Sequence, residues 1–340
     1  MPKCGSQVIL CDLPIRFDTY VGCTHRCQYC FATKKINGFY NKIKKGESLN
    51  KLKSFIEGKR TQETNWCDWD IPLHIGGLSD PLQPIEKEKR YTYECLKLLK
   101  ETQYPFVLST KGKLLGDDEY LDILSECNCV IQVSMVCSSY DEIEKGCPTY
   151  EERLEIVKKV APKVKRVIIR IQPYMREFKD EIISNLKRLK EAGAYGVIVE
   201  GMKWNKKYDG IIKVGGDFTY PLEDIKNDLM QIKTECHKLG LRFFSGENRT
   251  RTLGDNLCCC GIENLKGFKG NDFNLNHIIN GEKPKPTEKM KEKGTARSFS
   301  SLYQNTVDGK RLKKESFVGE TINIGKNNRD FIAEIFGKKK

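Results

Sequence analysis

Three cysteines, Cys23, Cys27 and Cys30, fall within the stretch YVGCTHRCQYCFA at the spacing C-x3-C-x2-C. A structural zinc site draws on four ligands, commonly as two pairs far apart in the chain. A disulfide framework uses an even number of cysteines in an extracellular setting. A lone triplet suits neither. Three thiolates in one short loop can instead hold three corners of a cubane [4Fe–4S] cluster, whose irons take cysteine sulfur. The fourth iron is then left without a protein ligand, and an open coordination position is where a bound metal does chemistry. His25, inside the triplet, is a ligand by residue type alone; a hydrogen bond that orders the loop is its plainer role.

Such a loop needs a rigid frame to hold it. From residue 71 to 245 the chain repeats a short β-rich run, a loop and an amphipathic helix. The runs are IPLHIGG (71–77), FVLSTK (106–111), CVIQVSM (129–135), RVIIRIQ (166–172), YGVIVEG (195–201) and LRFFS (241–245). Between them, IEKEKRYTYECLKLLKET has helical spacing, TYEERLEIVKKVA opens on the capping pair Thr149 and Glu152, and two further helices end at Gly193 and Gly240. Alternation of this kind predicts parallel strands joined by right-handed crossovers, and continuous apolar runs predict strands covered on both faces.

A first strand near residues 15–21 brings the total to seven units. The expected fold class is α/β, either an incomplete parallel β/α barrel or an open doubly wound sheet. Both collect functional groups at the carboxyl ends of the strands. Cys23, Cys27 and Cys30 follow the first strand, GGLSDP follows the second, and Thr110 and Lys111 end the third. Ser134 ends the fourth with Cys137 just beyond, and Gln172 ends the fifth. Residues 1–245 are expected to form the core and 246–340 a smaller appendage.

Composition narrows the class. The chain has 340 residues, 15 cysteines and a net charge of +13. An odd number of cysteines, with Cys95, Cys127, Cys129 and Cys236 in strand- or helix-like runs, argues for buried free thiols in a reducing compartment, and a cytoplasmic location is expected. The start shows no signal-like pattern, and no apolar run approaches the roughly 18 residues that span a bilayer. Residues 281–340 hold 15 Lys/Arg against 8 Asp/Glu, a basic surplus that attracts polyanions, nucleic acid first.

With GCTHRCQYCFA after the first strand, then GGLSDPLQPIEKEKRYT, VLSTKGKLL and TYEERLEIV in that order, the chain resembles the radical S-adenosylmethionine (SAM) superfamily, and within it the spore photoproduct lyase-like branch. The likeness runs from about residue 16 to 175. It implies a partial β/α barrel and a cluster ligated by Cys23, Cys27 and Cys30. SAM would be chelated at the open iron and cleaved reductively to a 5′-deoxyadenosyl radical that takes a hydrogen atom from substrate. It also implies an electron donor such as flavodoxin or ferredoxin.

Carried over residue by residue, Tyr29 packs near the adenine, and Gly76, Gly77, Ser79 and Asp80 stand where the family contacts the SAM amino group. Lys111 and Ser134 meet the SAM carboxylate or ribose, with Gln172 and Arg170 nearby. The chain departs from the lyase in one respect. The place of the cysteine that returns a hydrogen atom to product, just before the Ser-Asp pair, holds Gly77 or Leu78, which leaves Cys137 as the candidate donor and Cys147 behind it.

NLCCCG adds Cys258, Cys259 and Cys260, expected as ligands of an auxiliary cluster, hydrogen donors or a redox pair, with Arg249 and Arg251 placed to grip a phosphate or carboxylate. Because neighbouring side chains of an extended segment point oppositely, the three cannot all bind one cubane undistorted. Three functions follow: radical SAM chemistry on a nucleic-acid base or lesion, the same chemistry on a protein, peptide or small molecule, or a non-catalytic nucleic-acid module with zinc at Cys23, His25, Cys27 and Cys30.

Overall fold

The structure, a computed structural model, describes residues 3–4, 10–61, 64, 67–214 and 217–282. Its strands in chain order are β1 (Lys3–Cys4), β2 (Ile15–Phe17), β3 (Tyr20–Val21), β4 (Lys44–Lys45), β5 (Leu73–Ile75) and β6 (Phe106–Thr110). They continue with β7 (Cys129–Ser134), β8 (Arg166–Tyr174), β9 (Gly196–Gly201), β10 (Ile212–Val214), β11 (Asp217–Thr219) and β12 (Arg242–Ser245). The helices are α1 (Leu49–Ile56), α2 (Glu86–Lys89), α3 (Tyr91–Thr102) and α4 (Asp118–Ser125), then α5 (Tyr150–Val160), α6 (Lys179–Glu191), α7 (Leu222–Lys238) and α8 (Leu275–Ile279).

One sheet runs β1-β2-β5-β6-β7-β8-β9-β12. Strand β1 is antiparallel to β2, and the seven strands from β2 to β12 are parallel to their neighbours. The sheet starts at β1 and ends at β12 without joining them, so this is the incomplete barrel expected from the sequence. Strands β3 and β4 form a separate ribbon that the predicted first strand had merged with β2.

Successive side chains of a strand face opposite sides, and here the two faces have different jobs. The outer face (Ile15, Leu73, Leu108, Ile131, Ile169, Val197, Phe243 and their neighbours) packs under the helices in the main core. Cys95, Cys127, Cys129 and Cys236 lie in it as buried free thiols. The inner face has an apolar floor of Val107, Val130, Ile168, Ile198 and Phe244. Above that floor the inward positions turn polar: Arg16, His74, Ser109, Gln132 and Arg170, then Ser134, Gln172 and Glu200. The polar groups therefore occupy the carboxyl end of the half-barrel.

Local sequence sets the helix ends. Thr149 and Glu152 form the reciprocal capping box that opens α5. Gly193 and Gly240, both at positive φ, stop α6 and α7. The single helix expected over IEKEKRYTYECLKLLKET is two, α2 and α3, divided at Arg90, whose backbone is left-handed (φ 58°). Buried Glu86 fixes that junction by accepting from Thr92 N (3.1 Å), Tyr93 N (2.8 Å), the Tyr120 hydroxyl (3.0 Å) and the Tyr20 hydroxyl.

Candidate active site

Four loops meet at the mouth of the half-barrel. The cysteine loop leaves β3 and is anchored by Cys23 N donating to Phe39 O (3.0 Å) and Cys30 N to Cys27 O (3.1 Å). The Tyr40 hydroxyl donates to Cys27 O, and all three cysteine sulfurs act on that hydroxyl, which burial and then Cys30, Cys27 and Cys23 push above its ordinary titration range. The three thiols therefore converge on one point. Burial pushes the Cys23 thiol up to about 12, and burial likewise raises Cys30. A hydrogen bond from Cys147, whose sulfur is 3.6 Å away, brings Cys27 down to about 7 against burial, with help from Lys111.

The second loop, Gly76 to Leu82, follows β5. Gly76 has φ 85°, and a Cβ there would stand 2.3 Å from Ser109 O, so only glycine fits this turn. Asp18 organises the loop from beneath, taking Leu78 N (3.0 Å) together with the amides of Gly77 and Ser79. Gln83 ties it to the cysteine loop, accepting from Thr24 N (2.9 Å) and donating to Gly22 O (3.1 Å).

Asp80 is spent inside the protein. Its oxygens accept from Leu82 N (2.8 Å), the Thr110 hydroxyl (2.6 Å) and Lys111 N (2.6 Å). His25 Nε2 lies 3.3 Å from Asp80 and His25 Nδ1 3.0 Å from Gly146 O. Burial favours the neutral ring, but Asp80 overrides it and raises His25; burial favours the protonated acid, but His25 overrides it and lowers Asp80. This ion pair locks three loops together. It gives Asp80 a positioning part rather than a free carboxylate for an ammonium, and it commits both nitrogens of His25. The Ser79 hydroxyl, by contrast, is buried without a partner, an orphan donor facing the place where a ligand would sit.

The third and fourth loops bring Lys111 and Glu144 together. Lys111 Nζ donates to Ser134 Oγ (2.7 Å) and lies 3.1 Å from Glu144, with the Tyr29 ring 5.8 Å away. The Tyr29 hydroxyl donates to the same carboxylate, and Arg153 pairs with its other oxygen at 2.6 Å. Burial opposes the charge on Glu144, yet Lys111 and Arg153 hold its carboxyl down to about 2. Glu144 and Arg153 were not among the residues expected from the sequence; Arg153 reads there as one more charge on an amphipathic helix.

Gln172 is on the same rim, bonded to Arg170 and donating to Glu200 (2.8 Å). Cys137 is not. It is fully buried in the helix-packed layer, where burial first and then Glu181 push its thiol up to about 12. Neighbouring Ser138 and Ser139 also bond Glu181. Its sulfur belongs to the outer core and not to the inner, polar face that carries Lys111, Ser134 and Gln172.

The NLCCCG segment is also unlike its expectation. Cys258 and Cys260 are buried in the inner apolar core with Leu13, Val107, Val130 and Ile168, so two of the three thiols serve packing. Of the two nearby arginines, Arg249 is ion-paired with Glu247, while Arg251 bonds Asn248 Oδ1 (2.9 Å). Among the described residues no three His, Cys, Asp or Glu are gathered tightly enough for a single ion. A cubane spreads its thiolates more widely than one ion does, and the three converging thiols with the orphaned Ser79 hydroxyl fit that larger group.

A half-barrel of seven parallel strands with a three-cysteine loop at its mouth defines a class, and comparison confirms it. Residues 18–200 match the family model of the Radical SAM superfamily. The chain belongs to that superfamily. Its relatives include the uncharacterized protein Rv2578c of Mycobacterium tuberculosis, 25% identical over 206 residues (56% of this chain, 59% of that one), and the uncharacterized protein MJ0683 of Methanocaldococcus jannaschii, 24% identical over 147 residues (41% and 52%). The match thus spans little more than half the length of these curated relatives.

Among solved structures, spore photoproduct lyase complexed with dinucleoside spore photoproduct has a TM-score of 0.54 at 17% identity, covering 68% of this chain and 77% of that one. A mutant of that lyase with bound AdoMet and dinucleoside spore photoproduct gives 0.53 at 14% identity, covering 68% and 76%. At these identities the likeness is one of fold.

Proposed function

We propose that the chain is a radical SAM enzyme in which Cys23, Cys27 and Cys30 hold a [4Fe–4S] cluster and the rim residues hold SAM over it, for hydrogen abstraction from a nucleic-acid base or lesion. The convergence of the three thiols on the Tyr40 hydroxyl at the mouth of the half-barrel carries this reading. When bound, the group supplies an electron that cleaves the sulfonium of SAM and leaves a carbon radical for hydrogen abstraction.

The chain's own residues do the rest. Gly76 and Gly77 bring backbone close to the ligand, and the Ser79 hydroxyl is free to bond it. Asp80 and His25 keep the cysteine and glycine loops in register. Glu144 pins Tyr29 and Lys111 so that one aromatic face and one ammonium flank the site, and Ser134 and Gln172 complete the far side. The reductant is an electron carrier such as flavodoxin or ferredoxin. Residues 1–245 form the core in this reading and 246–282 an appendage under it; the basic segment of 281–340 lies almost wholly outside the described residues.

Two facts support a nucleic-acid substrate: the fold of a lyase that is complexed with a dinucleoside, and the charge of +13. A zinc module is disfavoured because both nitrogens of His25 are committed to Gly146 and Asp80. An auxiliary cluster forms no part of this reading, since Cys258 and Cys260 are core residues. Anaerobic purification tests the chemistry. A brown, iron- and sulfide-containing protein that converts SAM to 5′-deoxyadenosine under dithionite supports it; stoichiometric zinc with no SAM cleavage overturns it. For the substrate, salt-sensitive DNA or RNA binding that weakens on removal of 281–340 supports the reading, and unchanged affinity defeats it.

A further inference from the structure

The polar inner face of the half-barrel contains a group of charges that the SAM site does not use. Arg16 on β2 and Arg170 on β8 both project inward, and each lies in the other's electrostatic field. Arg170 donates to Gln132 Oε1 (2.8 Å) and to Gln172; both acceptors are neutral amides. Arg16 Nε is buried with no hydrogen-bond partner, and the Arg16 side chain lies 3.2 Å from where a Cβ of Gly77 would be.

Neither guanidinium forms an ion pair among the described residues. The carboxylates nearby are committed elsewhere: Asp18 to the amide of Leu78 (3.0 Å), and Glu200 to Gln172 (2.8 Å) and Lys203 (2.7 Å). An interior cation without a counter-ion costs several kcal/mol, so two of them facing one space are a site awaiting an anion.

That space is a chamber rather than packed core. Arg16, His74, Arg170 and Cys259 are surrounded by protein on almost every side, yet each keeps partial solvent exposure. Its floor is the NLCCCG segment, held by Gln132 Nε2 donating to Cys260 O (3.1 Å) and Arg166 donating to Gly261 O (3.0 Å). Cys258 and Cys260 point down into the apolar core, while Cys259 between them faces the other way, with Arg170 and Arg251 in its field. Cys11 and Cys260 first, and then the two arginines, draw the Cys259 thiol well below its usual range against burial. The chamber is positive enough to favour a thiolate.

Its wall supplies neutral hydrogen-bonding groups as well. Ser109 Oγ gives its proton to Gln132 Oε1 (2.7 Å), so His74 Nε2, 2.8 Å from Ser109 Oγ, is the donor of that pair. Burial followed by Arg170 and Arg16 holds His74 neutral, down to about 3. Its Nδ1 is left as an acceptor.

We infer that the half-barrel chamber is a substrate pocket for an anionic oxygen group, a carboxylate or a phosphate, gripped between Arg16 and Arg170 above the thiol of Cys259. This deepens the radical SAM reading and rests on it for the term substrate; the anion site itself is a separate, physical claim.

Cys259 makes the claim testable without knowing the substrate. Its thiolate attacks the methylene carbon of iodoacetate or iodoacetamide, a C–S bond forms, and iodide leaves. Elsewhere on a protein the anionic reagent is the slower one. Here the arginines concentrate it, and iodoacetate should label Cys259 about tenfold faster, relative to iodoacetamide, than it labels free glutathione. The assay is peptide mapping by mass spectrometry on the cluster-loaded protein.

Arg170→Gln should lower the preference about tenfold and Arg170→Lys should retain most of it; in the wild type, where folding is not in question, inorganic phosphate or acetate should suppress it. Stronger suppression by phosphate assigns a phosphate-bearing substrate, and stronger suppression by acetate a carboxylate. Equal or faster labelling by iodoacetamide overturns the proposal. So does loss of the preference on adding SAM alone while both reagents still react, since the anion would then be the cofactor's own carboxylate. Formation of 5′-deoxyadenosine, measured separately, reports on the radical SAM reading, so either claim can fail while the other stands.

Discussion

Glu144→Gln is the sharpest single perturbation of the rim. The carboxylate is fully buried and joins Arg153 (2.6 Å), Lys111 (3.1 Å) and the Tyr29 hydroxyl. Two routes give its worth. Its carboxyl is held at about 2 against an ordinary value of 4.5, and at 1.36 kcal/mol per unit this is about 3 kcal/mol. Breaking a buried pair while leaving the other charge in place costs about 3–5 kcal/mol, and Arg153 is that other charge. The estimates agree.

Glu144→Gln should therefore lose about 3 kcal/mol at pH 7, which at a slope of about 3 kcal/mol per molar shifts the urea midpoint by about 1 M. The pH dependence has a definite sign. The folded carboxyl is depressed, so its contribution is complete above pH 4.5 and disappears as pH falls towards 2, and the wild type and variant should converge over that window. Anaerobic urea titrations of both proteins at pH 7 and at two acidic values measure this. Equal midpoints at pH 7, or a gap that persists unchanged to pH 2.5, would refute the assignment of Glu144 as an ionised hub.

Other outcomes follow from the same geometry. Alanine at Cys23, Cys27 or Cys30 should each abolish cluster incorporation, read as iron and sulfide per chain; retention of a full cluster by any one variant removes that residue from the ligand set. Gly261→Ala should cost about 2 kcal/mol or more, because the residue has φ 72° and a Cβ would lie 2.6 Å from Ile168; a thermal midpoint equal to wild type would show that the loop is not packed as described. Asp80→Asn should weaken SAM binding several-fold, since it removes the charge that holds His25 and the Lys111 amide; unchanged affinity in equilibrium dialysis would free Asp80 from its positioning part. His74 should stay neutral across pH 5–8, with no titration of its ring signals by NMR.

The strand–helix rhythm is legible in the sequence because strands covered on both faces are unbroken apolar runs, and the cysteine spacing is legible because ligands of one cluster sit in one loop. What escapes is set by tertiary contacts. Nothing local says that Arg90 adopts a left-handed turn; the junction is decided by Glu86, which bonds groups from β3, α3 and α4. Asp80 reads as a free carboxylate until His25, Thr110 and Lys111 are seen to surround it. The cysteines of NLCCCG look reactive in a glycine-rich context, and only the inner face of the sheet turns two of them into core. Cys137 follows a strand end, as a rim residue would, but its side chain lies on the outer side. Arg16 and Arg170 have no local signature at all, because their meaning is that two distant strands face one chamber.

The central claim is that three thiolates hold the cluster and its fourth iron is open to SAM. Mössbauer and EPR spectra of the iron-57 protein with and without SAM test it most directly. The account predicts one distinct iron site whose parameters change on adding SAM, together with altered g values of the reduced cluster. Four equivalent, thiolate-ligated irons that are indifferent to SAM, with Cys147 or another side chain in the fourth position, would contradict it.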